Sequence, residues 1–290
     1  MTAARVIVVA GKGGVGKTTV TAVIARAAST AGKRVLVVEL DGKPTLASLV
    51  PDIEVMAISA PDALDEYLRD HGLGRIAKRL NRSGVIDVVG TAAPGIDDIV
   101  VLGKIKQLER AGDYDLIVVD GPAAGHAITF LTSAAGLLDA VRSGPVRAQA
   151  EDVLEMLNDA ERCQVVLVTL PETTPVNEAI ETAFALEDDV GVQLGPIVVN
   201  GVDRGVALPD DDAAAAAVAS LAPEVADALI GAAAFRASRR TMEQREIARL
   251  DTEVPIPKVT LPARLTAGLD AEDIDELATS LVEHSEAPHE

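Results

Sequence analysis

The segment GKGGVGKT, residues 11–18, directly follows the apolar run VIVVA, residues 6–10. It matches the pattern G-x-x-x-x-G-K-[ST] without a mismatch. Its glycines let the backbone curl so that successive N–H groups point inward at an anion, and a helix that begins near Lys17 adds its positive N-terminal end. The apolar run before the motif and the Ala-rich helical pattern after it supply the strand and helix that the motif requires. The segment therefore predicts a phosphate-binding loop between a buried strand and a helix.

The residue types of this loop point to a nucleoside triphosphate with Mg²⁺, and ATP is the expected nucleotide. We expect Lys17 to reach the β- and γ-phosphates and Thr18 to ligate Mg²⁺. Lys12 is not required by the general motif and, taken alone, could be a solvated loop lysine. The other residues expected to surround the nucleotide are Gly11, Gly13, Gly14, Val15, Gly16 and Thr19.

Strand and helix signals alternate along the chain, which predicts a mostly parallel central sheet covered by helices on both faces, a three-layer α/β/α fold. The predicted strands are continuous apolar runs, as expected of strands buried on both faces. They cover residues 5–10, 34–40, 114–120, 164–170, 197–200 and 256–261, with a further short strand at 85–89. Helical spacing covers residues 17–31, 61–80, 96–111 and 130–161, and the acidic, Ala-rich stretch 208–234.

The 290 residues, of which 48% are hydrophobic, allow one large domain with a sizeable core. We expect a single domain over residues 1–282. Helical subdomain elements around 61–82 and 130–160 would form a small helical insertion at one end of the sheet. Residues 283–290 are expected to form a flexible tail.

Charge and composition narrow the classes of partner. The formal net charge of −19 repels phosphate backbones and anionic lipid, so no nucleic-acid partner is expected. The single cysteine, Cys163, excludes an internal disulfide and a site made of several thiolates. The sequence shows no signal peptide and no run of about 20 apolar residues, so we expect a cytoplasmic location.

Polar side chains stand at the ends of three predicted strands, where parallel sheets place ligands. Asp120 closes the run YDLIVVD and fits a carboxylate that holds Mg²⁺ directly or through water, or else caps the next turn. Asp41 follows the second strand and Glu39 points to the same face, although both could be ordinary turn or surface carboxylates. Asn200 carries an amide that matches the adenine edge, or is a turn residue before Gly201.

Four segments in this order carry a family resemblance. KGGVGKTT, residues 12–19, resembles the deviant phosphate loop of the MinD, ParA, nitrogenase iron protein and ArsA group. DGPAAGH, residues 120–126, resembles the switch II segment of the ArsA family, although Gly-Pro stands where the family commonly has Thr-Ala-Pro. VTLPETTPVNEA, residues 168–179, and VVN, residues 198–200, resemble the strand-loop-helix and adenine-reading segments of that family. The chain therefore resembles the ArsA-like P-loop ATPases, most closely the bacterial and especially the actinobacterial members.

The resemblance implies a P-loop NTPase fold, ATP hydrolysis and a role for each matching residue. Lys12 would reach across a dimer interface to the partner's nucleotide, and Asp41 would orient or activate the attacking water. Gly125 would offer its N–H to the γ-phosphate, and Asn200 would read adenine. His126 fits a packing or capping residue better than a catalytic base.

Two functional hypotheses follow, together with a weaker third. The leading one is a Mg-dependent ATPase that works as a nucleotide-driven homodimer or heterodimer and couples hydrolysis to an unidentified protein cargo or membrane partner. The alternative is a targeting or chaperone-type module that holds apolar protein segments on residues 61–82 and 130–160, with slow hydrolysis as a timer. A MinD- or ParA-type positioning ATPase fits less well. Those proteins need a basic tail or a basic DNA-binding face, whereas this chain has an acidic tail and a net charge of −19.

The number of cysteines excludes some of the family's known roles. Arsenite-pump subunits bind metalloid through several cysteines, and the tail-anchored-protein targeting ATPase of eukaryotes binds zinc through paired C-x-x-C motifs. With Cys163 alone, neither an arsenite site nor a zinc site is expected.

Overall fold

The computed structural model describes the chain over residues 4–40, 45–70, 72, 95–189, 191–209 and 211–286. Seven strands form one sheet in the order β3-β2-β4-β1-β5-β6-β7, and every neighbouring pair is parallel. The strands are β1 (Val6–Gly11), β2 (Val35–Glu39), β3 (Glu54–Ala57), β4 (Leu116–Ala123), β5 (Cys163–Thr169), β6 (Ile197–Val202) and β7 (Lys258–Pro262).

The continuous apolar runs of the central strands arise because both faces of the sheet are covered. Side chains alternate across a strand, so Val6, Val8 and Ala10 of β1 enter one core cluster. Ile7 and Val9 enter the cluster on the opposite face. No position of β1 faces water, and the usual alternation of apolar and polar residues is therefore missing from its sequence.

The described residues form ten helices. They are α1 (Lys17–Thr30), α2 (Thr45–Leu49), α3 (Ala60–Asp70), α4 (Ile96–Ala111), α5 (Ala124–Ala140), α6 (Pro145–Asn158), α7 (Thr173–Asp189), α8 (Asp211–Val218), α9 (Pro223–Glu253) and α10 (Ala271–Glu286). The face that carries Ile7 and Val9 is covered by α1, α2 and α10, and the opposite face by α3 to α7 with the C-terminal end of α9. This arrangement confirms the three-layer α/β/α fold.

Two elements differ from the sequence-based prediction. The edge strand β3 was not predicted, because its side chains are only partly covered and its four residues form no apolar run. The single helix expected over 130–161 is two helices, which Gly144 and Pro145 separate. A proline ring clashes with the carbonyl four residues earlier, so Pro145 can begin a helix but cannot continue one.

The helices over 130–160 cover the sheet directly. α5 contacts β4 and β1, and α6 contacts β5. Their larger apolar side chains are buried in the same core cluster as the strands, among them Phe130, Leu131, Val153, Met156 and Leu157. These two helices therefore form part of a main covering layer, whereas the sequence suggested a separate addition at one end of the sheet.

Some predicted elements lie partly or wholly outside the described residues. α3 ends at Asp70 and Gly72 lies in a turn, so the helix expected over 61–80 is shorter, while residues 73–80 and the strand expected at 85–89 lie outside the description. The last helix continues through Glu286, into the segment expected to be a flexible tail. Within the described ranges, no helix is both long and apolar enough to cross a membrane.

Candidate functional site

The phosphate loop runs from the end of β1 to the start of α1. Gly16 is the N-cap of α1 and has a left-handed backbone, with φ near +90°. Among the described residues, no side chain caps this helix start, and its first turn contains no acidic residue. The N–H groups of the first helical turn therefore remain available to an anion, and the helix dipole favours negative charge there.

Lys17 and Thr18 are placed at the start of α1, where the first turn presents their side chains to the loop. The Lys17 ammonium donates a hydrogen bond of 3.3 Å to the backbone carbonyl of Lys12, across the mouth of the loop. The Thr18 hydroxyl donates to Asp120 Oδ2 at 2.8 Å. The cation and the hydroxyl expected at the triphosphate therefore stand on consecutive residues.

Asp120 lies on β4, the strand that pairs with β1. Its second carboxylate oxygen accepts a hydrogen bond of 3.3 Å from Thr21, one turn along α1 from Thr18. On the other side, Glu39 is its register partner on β2 and is buried. Two hydroxyls of α1 thus hold the Asp120 carboxylate beside the phosphate loop, and a second carboxylate stands on the neighbouring strand.

Asn200, at the end of β6, contacts the loop itself. Its side-chain amide donates a hydrogen bond of 2.9 Å to the backbone carbonyl of Val15. A Cβ added at Gly16 would lie only 2.3 Å from the same amide nitrogen. Asn200 therefore supports the backbone of the phosphate loop, a contact that sequence reasoning missed. Its adenine-reading role stays a prediction.

The Lys12 side chain contacts α7. Its ammonium forms an ion pair of 2.5 Å with the Glu178 carboxylate, and about a third of each side chain remains exposed. Glu178 lies 166 positions away in sequence, so no local pattern identified it. The contact of Thr21 with Asp120 could have been predicted from the sequence, because Thr21 follows Thr18 by three positions and therefore lies on the same face of α1.

The segment resembling switch II joins β4 to α5. β4 continues through Ala123, and α5 begins at Ala124, so Gly125 and His126 lie in the first turn of α5, where both are exposed. A Cβ at Gly121 would come within 2.5 Å of the Val9 carbonyl oxygen, which explains why a glycine stands at this departure from the family pattern. Asp41, expected to orient the attacking water, lies outside the described residues.

A cavity of about 320 Å³ borders this segment. Pro122 and His126 line one side, and Leu40 lines another, together with Asp98 on α4. Burial raises the pKa of the Asp98 carboxyl, repulsion from Asp97 raises it further, and His126 acts in the opposite direction. The end of the segment after β2, at Leu40, and the segment that resembles switch II therefore line one cavity, which also contains the Asp98 carboxylate.

Helix α9 braces the loops that follow β5 and β6. Arg239 pairs with Glu172 in the first loop at 3.1 Å. Arg236 pairs with Asp203 in the second loop at 2.7 Å, and the buried Glu243 accepts a hydrogen bond of 3.0 Å from the Asp203 N–H. Helix α9 therefore presents a salt-bridged face to both loops.

Comparison with known proteins agrees with this geometry. A family model described as Anion-transporting ATPase, of the ArsA type, matches residues 4–143. The ATPase BagA of Mycobacterium tuberculosis is 30% identical over 318 aligned residues, which cover 96% of this chain and 93% of that protein. The chain belongs to the ArsA-like ATPase family. It is accordingly an ATP hydrolase, and the resemblance noted from the four segments is confirmed.

Relatives named for arsenical pumps are more distant or longer. The putative arsenical pump-driving ATPase of Halobacterium salinarum is 24% identical over 308 residues, covering 96% of this chain but 44% of that protein. The arsenical pump-driving ATPase of Escherichia coli is 30% identical over 187 residues, covering 62% of this chain and 32% of that protein. This ArsA-like ATPase thus spans less than half the length of these two pump-driving relatives.

Proposed function

We propose that this ArsA-like ATPase is Mg-dependent and works as a nucleotide-driven dimer that couples ATP hydrolysis to a protein partner. The observation that carries its dependence on Mg²⁺ and nucleotide is the contact of Thr18 with Asp120 at the start of α1, beside Lys17, while the dimer rests on the match of Lys12 to the family's phosphate loop. A hydroxyl, a carboxylate and an ammonium converge there on an uncapped helix start, as phosphoryl transfer requires.

The triphosphate is bound by the loop backbone and by Lys17. The Lys17 ammonium donates to the Lys12 carbonyl at 3.3 Å. Phosphate oxygens carry negative charge and are stronger acceptors for an ammonium than this neutral carbonyl. The proposed backbone contacts come from Gly11, Gly13, Gly14, Val15, Gly16 and Thr19, with Gly125 contacting the γ-phosphate. Asn200 is proposed to read adenine while its amide supports the loop at Val15.

The residues beside the loop fit Mg²⁺. Thr18 and Asp120 offer hard oxygen donors that lie 2.8 Å apart and would hold the ion. When bound, the ion neutralises charge on the β- and γ-phosphate oxygens. Asp41 is proposed to orient the attacking water. Each of these roles is carried over from the residue's match to the family motif.

Lys12 carries the proposed dimerisation step. In the dimer, its ammonium leaves its own subunit and reaches the nucleotide of the partner, which is a second copy of this chain or another family member. The nucleotide then favours the dimer only to the extent that it makes better contacts there than in the monomer. We also propose a cytoplasmic location and a single domain over residues 1–282, with the end of α10 extending beyond it to Glu286.

The test compares two lysine variants. Lys12→Ala should retain ATP affinity and lose most of its turnover, because its ammonium acts only on the partner's nucleotide. Lys33→Ala removes an exposed lysine of similar charge after α1 and serves as the control. The affinity is measured by titration with a fluorescent ATP analogue, and turnover by phosphate release. Unchanged turnover in Lys12→Ala would refute the cross-dimer role.

A targeting function for apolar protein segments is the second candidate, and exposed side chains favour it. Most of the large apolar side chains of the expected holding surface over 130–160 are buried against the sheet, so that part of the hypothesis is corrected. Exposed apolar side chains stand on the segment leading into α9 and on its N-terminal half: Val206, Leu221, Val225, Leu229, Ile230 and Phe235. A photocrosslinker at position 235, compared in ATP and ADP, should capture an apolar segment in one state. Capture of none in either state would count against this function.

A further inference from the structure

Lys12 is held at two points of its own subunit. Its ammonium pairs with Glu178 at 2.5 Å, and its carbonyl accepts the Lys17 ammonium at 3.3 Å. The first contact ties the phosphate loop to α7, and the second ties the two lysines of the loop to each other. A lysine that acts on a partner's nucleotide must break the first of these contacts before it can reach across.

Glu178 stands on a helix that is fixed in the core. Val176, two positions earlier, is buried, and α7 packs against α5 and β5. The Glu178 carbonyl also accepts a hydrogen bond of 2.6 Å from the Thr182 hydroxyl, one turn later. The carboxylate is thus presented from a rigid element, whereas Lys12 belongs to a glycine-rich loop. The lysine is the partner that moves when the pair separates.

The energetics make this ion pair reversible. About a third of each side chain is exposed, so water screens the attraction and the pair is weak. A triphosphate carries several negative charges against the single charge of Glu178, and a closed interface excludes water from the contact. The phosphates of a partner's nucleotide can therefore displace Glu178, while an empty partner cannot.

We propose that Glu178 is a positioning residue that retains Lys12 on its own subunit until a nucleotide-loaded partner captures it. This inference rests on the proposed cross-dimer role of Lys12 and deepens it. Glu178 would thereby raise the concentration at which dimers form and reduce association without bound ATP. Each subunit of a symmetric dimer releases one such lysine, so the free energy of the Lys12–Glu178 ion pair enters the dimer affinity twice.

The test is Glu178→Gln, which keeps the shape of the side chain and removes its charge. Sedimentation of the full chain with a non-hydrolysable ATP analogue gives the dimer dissociation constant. A part-exposed ion pair is worth roughly 1.4- to 5-fold per subunit, so the dissociation constant should fall about 2- to 25-fold. Affinity for the fluorescent ATP analogue should not change when it is titrated at protein concentrations low enough to keep the chain monomeric. Glu181→Gln, an exposed glutamate on the same helix, is the matched control.

Two further variants separate this role from a structural one. Glu178→Asp keeps the charge on a shorter stem and should lie between wild type and Glu178→Gln. In a Lys12→Ala background, Glu178→Gln should have no effect on dimer affinity, because no lysine remains to be released. A general loosening of α7 would persist in that background, and its appearance there would overturn the inference.

The outcomes distinguish the inference from the function on which it rests. If Lys12→Ala dimerises and hydrolyses like wild type, the cross-dimer role fails. If Lys12→Ala is impaired but Glu178→Gln matches wild type or weakens the dimer, the retaining role of Glu178 alone is refuted. Should Glu178→Gln fold poorly by thermal melting, a wild-type dissociation constant for Glu178→Ser would refute it equally.

Discussion

Alanine at Gly16 should cost more stability than alanine at Gly14, although the two backbones are nearly identical. Their φ angles are +90° and +89°, and leaving glycine in this left-handed region costs roughly 1–2 kcal/mol at either position. A Cβ at Gly14 meets nothing within 4 Å, whereas one at Gly16 lies 2.3 Å from the Asn200 amide nitrogen. Asn200 must then move and give up its hydrogen bond to the Val15 carbonyl, which is worth about 0.5–1.5 kcal/mol. We expect losses of about 1–2 kcal/mol for Gly14→Ala and about 1.5–3.5 kcal/mol for Gly16→Ala.

Urea unfolding of the nucleotide-free protein measures these free energies. The same pair of variants is then made in an Asn200→Ala background, where the obstructing amide is absent. There the extra cost at Gly16 should disappear, and both alanines should cost about 1–2 kcal/mol. Equal losses in the wild-type background would refute the proposed contact. An extra cost at Gly16 that survives the removal of Asn200 would show that the obstruction has another origin.

Three other perturbations have expected outcomes. Lys17→Ala should lower ATP affinity and turnover together, because its ammonium is proposed to bind the phosphates as soon as ATP enters the site. Isothermal titration measures the affinity and phosphate release measures the turnover, and an unchanged affinity would contradict this role. The Arg236 guanidinium holds the pKa of Asp203 below its usual range, with help from the Gly205 N–H. This pKa is depressed in the folded state, so the stabilisation is present above the unfolded pKa of about 3.9 and lost as pH falls below it. The stability difference between wild type and Arg236→Gln should therefore be seen at pH 6 and shrink below about pH 4, and a pH-independent difference would contradict this. Burial, with a smaller contribution from the nearby Glu109 carboxylate, raises the pKa of the Cys163 thiol to about 12, so this cysteine should resist Ellman's reagent at pH 8 until urea unfolds the chain; rapid labelling of the native protein would contradict the burial.

Much of the fold was predictable because its strongest signals are local. Apolar runs such as residues 6–10 and 116–119 are buried on both faces, so their sequences show no polar position. The glycines and Lys17 form one continuous motif whose chemistry can be read without a structure. The strand β3 was not predicted, because it lies at the sheet edge with partly covered side chains and has no such apolar run.

The long-range contacts of the site were not predictable from local patterns. Asn200 was singled out for a nucleobase, but its contact with Val15 depends on how β6 lies beside β5 and β1, across 185 positions of sequence. Glu178 lies in a helix with no distinguishing charge pattern, and only packing brings it to Lys12. Asp120 was found because a carboxylate that closes an apolar strand is itself a local signal. Local chemistry therefore indicated which residues matter, and the fold determined which of them touch.

Sedimentation velocity with and without a non-hydrolysable ATP analogue tests the dimer mechanism most directly. The chain has a mass of 30.0 kDa. With Mg²⁺ and the analogue, the wild-type protein should sediment with twice that mass, and Lys12→Ala should reach that mass only at higher protein concentration although it binds the analogue. A wild-type protein that stays at 30.0 kDa at saturating analogue and high protein concentration would contradict the nucleotide-driven dimer.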